Sequence, residues 1–271
     1  MTLKYVNKLE GNSVLVVGGS SGIGFAVAEA SVEFGASVVV ASRSQEKVAK
    51  AVERLTASYP DAKNRIRGHV VDLYGEESET SLTKLFEFVT NGGKDKVDHV
   101  IETAGENHNA SLTLQEATPK LIAEASNSRV SGAVILAKVA AKYIQRKHTS
   151  SLTLTGGATA YKPPLGMSVL ATIGGAKDAL ARGLAVDMNP VRVNLVSPGA
   201  VQTELLDSVF ENMKFGGAGA DPEVVRTLFK GASLMGRIGD PEDLAEAYLS
   251  LMKNHFVTGT ILHVNGGLLL K

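Results

Sequence analysis

The sequence predicts an α/β fold: one doubly wound, Rossmann-like parallel sheet of about seven strands flanked by helices, forming a single domain over residues 1–271. Three observations predict it. Short β-branched runs alternate with longer amphipathic stretches along the whole chain. Most of those runs are almost continuously apolar, as strands covered on both faces are. A glycine-rich turn follows the first run and opens directly into a helical pattern.

Taken in order, the expected strands are Ser13–Val17, 37–40, 67–71, 97–102, Ser151–Thr155, 191–196 and Ile261–Val264. Helical periodicity marks Gln45–Ser58, 76–90, 114–147 and 167–188 between them. Strand and helix in strict alternation require crossover connections, which are right-handed. The stretch 214–220 contains Gly216, Gly217 and Gly219 and reads as a mobile lid or loop. No repeat or composition break divides the chain.

Composition narrows the function classes. Twenty-eight basic residues balance twenty-eight acidic ones, so no global field favours nucleic acid or an anionic membrane as partner. The chain has no cysteine, which excludes disulfides and thiolate chemistry and fits a cytoplasmic location. The six histidines are scattered without ligand spacing, and no metal site is expected. A small-molecule substrate is the expected partner.

The first strand runs into Gly18-Gly19-Ser20-Ser21-Gly22-Ile23-Gly24. Glycines there permit a tight turn and close backbone approach, and the following helix offers free N–H groups to a pyrophosphate. At the end of the second strand an acid would bind a ribose 2′-hydroxyl and repel a 2′-phosphate. The chain instead has Ser42-Arg43-Ser44, donors suited to a phosphate, so NADP(H) is the expected cofactor.

The spacing Gly18-x-x-x-Gly22-x-Gly24 resembles the short-chain dehydrogenase/reductase family, and the resemblance extends over essentially the whole chain. Asp72-Leu73 resembles that family's adenine contact, and Ala104-Gly105 the end of its Asn-Asn-Ala-Gly turn, with Glu102-Thr103 in place of the asparagines. Ser197-Pro198-Gly199, with Val201 and Thr203, resembles the segment that holds the nicotinamide amide. Arg237, Gly239, Pro241, Glu242 and Asp243, then Gly259 and Val264-Asn265-Gly266-Gly267, match the C-terminal pattern. The resemblance implies a homodimer or homotetramer formed through 240–251 and the last strand.

Ordinary members of this family use Asn, Ser, Tyr and Lys. Their tyrosine protonates a carbonyl oxygen as hydride arrives, and the lysine four residues on lowers its pKa. Lys177 fits the lysine position and is expected to hold the nicotinamide ribose. Ile173 occupies the tyrosine position, Gly156 or Gly157 the serine position, and Arg129 the asparagine position, with Asn127 as the alternative register. The Tyr143–Lys147 pair has the right spacing but precedes the fifth strand, so its basic neighbours read as a helix C-terminus. Arg129, Lys177 and Tyr161 are the candidate catalytic residues, Tyr161 as substitute acid. Thr155 and the Glu106-Asn107-His108 stretch are further polar candidates.

Without the tyrosine, a ketone lacks its proton, whereas an iminium ion needs only hydride and a cyclisation needs neither. The pattern is similar to fungal relatives of indole alkaloid biosynthesis that reduce an iminium and guide an intramolecular Diels–Alder closure, with arginine at the asparagine position and a Pro-Pro loop, here Pro163-Pro164. Those relatives also use an aspartate in that loop, and no acid stands between Tyr161 and Met167. The alternatives are a conventional ketone or alcohol oxidoreductase using Tyr161, and a non-catalytic NADP(H)-binding sensor or scaffold.

Overall fold

In the computed structural model, which describes residues 4–105, 112–212, 214–215, 218–219 and 221–271, seven parallel strands form one sheet. They are β1 (Ser13–Val17), β2 (Ser37–Ser42), β3 (Ile66–Val70), β4 (His99–Glu102), β5 (Ser151–Thr155), β6 (Arg192–Pro198) and, last in the chain, β9 (Ile261–Val264). The spatial order is β3-β2-β1-β4-β5-β6-β9. Every run expected to be a strand is one, three with the expected bounds and four with an end shifted by one or two residues. Val97, placed at the head of the fourth strand, makes only an isolated bridge to Ile144.

The strands are apolar on both faces because both faces are covered. On one side α1 (Gly22–Glu33), α2 (Gln45–Ser58) and α9 (Pro241–Lys253) pack over Val14, Val16, Val38, Val40 and Ile101. On the other, α3 (Ser78–Val89), α5 (Gly132–Tyr143) and α6 (Ser168–Asp187) cover Leu15, Val17, Val39, Val100 and Leu152. Each fully buried Val, Leu or Phe stabilises the fold by about 1.5–3 kcal/mol before ordering entropy is subtracted.

The expected helix 114–147 is instead broken. Helix α4 (Pro119–Ser126) starts where Thr118 accepts the Leu121 N–H and Pro119 fills the first turn. A π-helical turn, Asn127–Ser131, then joins it to α5. Within 214–220, expected to be a mobile lid or loop, strands β7 (Lys214–Phe215) and β8 (Ala218–Gly219) pair antiparallel, while Gly216, Gly217 and Ala220 lie outside the described residues. They lie between α7 (Glu204–Asn212) and α8 (Pro222–Ala232).

The sheet order reverses between β1 and β4. Open α/β sheets bind ligands outside the carboxyl ends of the strands at such a switch point.

Candidate functional site

A cleft of about 280 Å³ opens at this switch point. Its floor is the turn from β1 into α1. Gly18 has φ +90°, and a Cβ on it would sit 2.5 Å from Ala104 N. A Cβ on Gly24 would sit 2.3 Å from Gly18 O and 2.4 Å from Thr103 Oγ1. The loop is therefore folded tightly onto the end of β4, which only glycine allows. Ser21 is the N-cap of α1, but its side chain caps nothing and no acid stands in the first turn. The N–H groups at that end are thus presented to the cleft, where the helix dipole favours an anion.

Most of the expected cofactor residues meet here. Gly18, Ser20, Ser21, Gly22, Ile23, Gly24, Ser42, Arg43, Ser44, Leu73, Ala104, Gly105 and Thr203 all line the cleft. Four do not. Asp72 accepts the Tyr74 N–H at 3.0 Å through Oδ1 and is absent from the cleft wall. Val201 is buried in the core, and Gly199 packs against Asn265, where a Cβ would approach within 2.9 Å. Pro198 ends β6 and, like Gly199 and Val201, is absent from the cleft wall. In their place Lys47, Val71, Tyr74, Glu204 and Leu205 line it. Tyr74 carries the Arg43 guanidinium 5.2 Å above its ring.

Lys177, expected to reach the ribose, is held elsewhere. Its ammonium lies 2.6 Å from Glu102 Oε2, with both side chains under 8% exposed at 7% and 4%. Glu102 is the last residue of β4, immediately before the cleft-lining Thr103-Ala104-Gly105. The Thr155 N–H reaches the same carboxylate oxygen at 3.4 Å. The Thr155 hydroxyl donates to the Glu102 carbonyl and meets the buried Tyr248 hydroxyl at 2.7 Å. Burial, with the Glu102 charge adding to it, pushes the Tyr248 phenol well above its ordinary value. Glu102 was visible in the sequence only as a departure from the family turn; its partner is 75 residues away.

No proton donor replaces the tyrosine at its own position. Ile173 is buried in an apolar cluster with Leu112 and Ala125, against Val130, Val169 and Leu170. At the serine position a Cβ on Gly156 would meet Leu195 Cδ2 at 2.8 Å, while Gly157 faces open space.

Tyr161, expected as a substitute acid, is engaged by Asp178. Its hydroxyl donates to Asp178 Oδ2, and its ring stands edge-on to His263 at 4.4 Å. Burial first, and then the Asp178 hydrogen bond, push the phenol well above its ordinary range. It is not among the residues of the cleft.

Arg129 sits in the π-helical turn, half-buried, with its Nε shielded from solvent. Asn127 opens the same turn and is exposed. Single π turns inside helices recur at functional sites because they re-aim a side chain. Tyr143 stacks on Phe86 at 5.5 Å, beside the bridge that precedes β4, and so belongs to the opposite end of the sheet. Glu106, Asn107 and His108 lie outside the described residues.

The sheet order and the glycine turn define a dinucleotide-binding α/β protein. Residues 5–271 match the family described as an SDR-like Rossmann domain, and the chain belongs to the short-chain dehydrogenase/reductase family of oxidoreductase enzymes, which bind a nicotinamide cofactor. It is similar to the short-chain dehydrogenase/reductase ATR9 of Stachybotrys chlorohalonatus, 38% identical over 263 residues that cover 97% of this chain and 99% of that one. It is also similar to the short-chain dehydrogenase/reductase malC of Malbranchea aurantiaca, 36% identical over 270 residues, 97% of this chain and 96% of the relative. The solved MalC reductase/Diels–Alderase from the same fungus superposes with a TM-score of 0.88, covering 98% of this chain and 100% of that one at 35% identity.

Proposed function

We propose that this protein is an NADP(H)-dependent enzyme of specialised metabolism that reduces an iminium-type substrate, guides an intramolecular closure such as a [4+2] cyclisation, or does both. One observation carries this reading: the residue four before Lys177 is Ile173, buried among apolar side chains. The enzyme therefore has no phenol to give a proton at that place, and substrates that need none are the ones it suits. The likeness to the MalC reductase/Diels–Alderase supports the same reading.

The residues present fit the cofactor. The turn at Gly18 and Gly24 leaves a cradle that a Cβ would fill, and Ser42 Oγ is buried without a hydrogen-bond partner at the end of β2. Gly18 to Gly24 and the first turn of α1 would hold the pyrophosphate, Leu73 and Tyr74 the adenine, Ser42 and Arg43 the 2′-phosphate. Ala104, Gly105 and Thr203 would line the nicotinamide end. When bound, the nicotinamide supplies or accepts a hydride.

Arg129 would present a permanent cation and several donors to the substrate, polarising a carbonyl or orienting a dienophile. Lys177, neutralised by Glu102, holds β4 to α6. Tyr161 keeps its proton for Asp178, which weighs against a conventional ketone reductase. A homodimer or homotetramer in a cytoplasmic setting completes the proposal, with the free edge of β9 open to a neighbour.

Stopped-flow absorbance of the NADPH-loaded protein, against ketones and preformed cyclic iminium ions, tests the reading. The nicotinamide band should disappear with an iminium and persist with ketones. Turnover of ketones at comparable rates would overturn it. Arg129→Ala should lower turnover of an accepted substrate by at least about tenfold with cofactor affinity unchanged, a loss typical of one electrostatic donor.

A further inference from the structure

When a reduced nicotinamide gives up hydride, its ring is left with one positive charge, so any charge the protein fixes beside the ring bears on that step. We propose that Glu102 is a positioning residue that acts through Lys177: by cancelling the ammonium charge, it lets the carboxyl end of β4 accept the positively charged, oxidised cofactor. The inference rests on the nicotinamide end assigned above to Ala104 and Gly105, and not on the choice of substrate.

Glu102 ends β4, and the next three residues, Thr103, Ala104 and Gly105, line the cleft. Lys177 comes from the middle of α6, and its ammonium meets Glu102 Oε2 at 2.6 Å with both side chains buried. The N–H of Thr155, at the end of the neighbouring β5, reaches the same oxygen at 3.4 Å. Thr103 is tied in turn to the Val17 carbonyl, by its N–H at 2.8 Å and its hydroxyl at 3.2 Å. The carboxylate is thus fixed one residue from the cleft wall.

One turn before Lys177 stands Ile173, buried among apolar side chains, so there is no phenol for the ammonium to acidify. A lysine charge left uncancelled would instead disfavour a cation at the nicotinamide end, and burial would keep solvent from screening it. Hydride passing to an iminium carbon moves the positive charge from substrate to ring and destroys none, so that penalty would weigh on both sides of the step. Glu102 removes it. Other charged or titratable groups on the elements around the pair hold one state near neutrality. Burial pushes the Tyr248 phenol of α9 up and holds His99, at the head of β4, at about 3. Arg129, in the π turn that packs on α6, is a permanent cation, and Asp178 accepts the Tyr161 hydroxyl.

The test is calorimetric titration of the full chain with NADP+ and with NADPH, for the parent, Glu102→Gln, Lys177→Met and the double variant. Measurements at about pH 6 and about pH 8.5 cover both single variants, since a lone buried ammonium keeps its charge better at the lower value and a lone buried carboxylate at the higher. Each result is a ratio of two affinities of one protein, so a reduced folded fraction cancels from it, and either single variant decides the question if the other does not fold. Glu102→Gln should weaken NADP+ relative to NADPH by about tenfold at the lower pH, as one uncancelled charge nearby would. Lys177→Met should shift the ratio the opposite way at the higher pH, and the double variant should restore the parent ratio at both. Ratios within about twofold of the parent in the single variants, or shifts of one sign, would mean that the pair only ties β4 to α6, and would overturn the role of Glu102. A parent protein that binds neither NADP+ nor NADPH would overturn the cofactor reading as well.

Discussion

Glu102 and Lys177 show how two substitutions at the residue scale can be one event. A lysine beside a cofactor cleft is normally available to a ligand, but here it is closed into a buried ion pair with a carboxylate that ends β4. Taking both charges out of water is costly, and their attraction only roughly offsets that cost. Removing one partner is different, because the other is left charged and buried. Glu102→Gln or Lys177→Met alone should therefore destabilise the fold by about 3–5 kcal/mol. The double substitution should recover most of that loss, since the two sites share one interaction. Urea denaturation of the four proteins measures it. Simple addition of the two single losses would mean that the pair is not coupled. This contact could not be read from the residues themselves, because nothing local to either one signals a partner 75 positions away.

At the scale of elements, legibility followed periodicity. Strands covered on both faces announce themselves as unbroken apolar runs, so all seven of the main sheet could be read. The turn from β1 to α1 was readable because glycines there serve a backbone need that no other residue meets. Gly24→Ala tests that need: the added methyl would lie 2.3 Å from Gly18 O, backbone that can yield only by moving the loop. The expected outcome is a loss of about 1–3 kcal/mol in stability, together with weakened dinucleotide affinity. Thermal melts and cofactor titration check it, and an unchanged affinity would show that the loop is not the pyrophosphate seat.

Other elements were less legible. The single helix expected over 114–147 is interrupted because the apolar period survives a π turn almost unaltered, so Asn127–Ser131 left no mark in the pattern. Thr118-Pro119 did carry a readable start signal, a cap residue followed by proline. Lys47 and Tyr74 were missed for another reason. Their positions carry ordinary helix and turn residues, and only the crossing of α2 and the β3–α3 turn over the cleft brings them together.

For the whole molecule, the two ends of the sheet have opposite characters. The carboxyl end of the strands holds the cleft. The amino end is a closed polar lock, in which Arg192 donates to the carbonyls of His148, Thr149, Leu251, Met252 and Val257, and burial lowers its pKa to about 10. His99 sits in the same layer, bonded to Ser151 Oγ at 2.9 Å and Asn12 Nδ2 at 3.2 Å. Burial first, then the Arg192 charge, depress its pKa from 6.5 to about 3. The folded protein thus keeps His99 neutral over a range in which the unfolded chain protonates it. Its contribution to stability is complete above pH 6.5 and is lost as the pH falls from there toward 3. The loss amounts to about 1.4 kcal/mol per pH unit, the value of one proton. His255, whose pKa burial also lowers, steepens the same decline. Between pH 6.5 and about 5 most carboxylates are still ionised in both states, so the slope there reports the histidines. Denaturant midpoints across that window, compared between the parent and His99→Gln, should show the slope reduced by about one proton in the variant. An unchanged slope would mean that His99 is protonated inside the native sheet, and that the lock at its amino end is not built on a neutral imidazole.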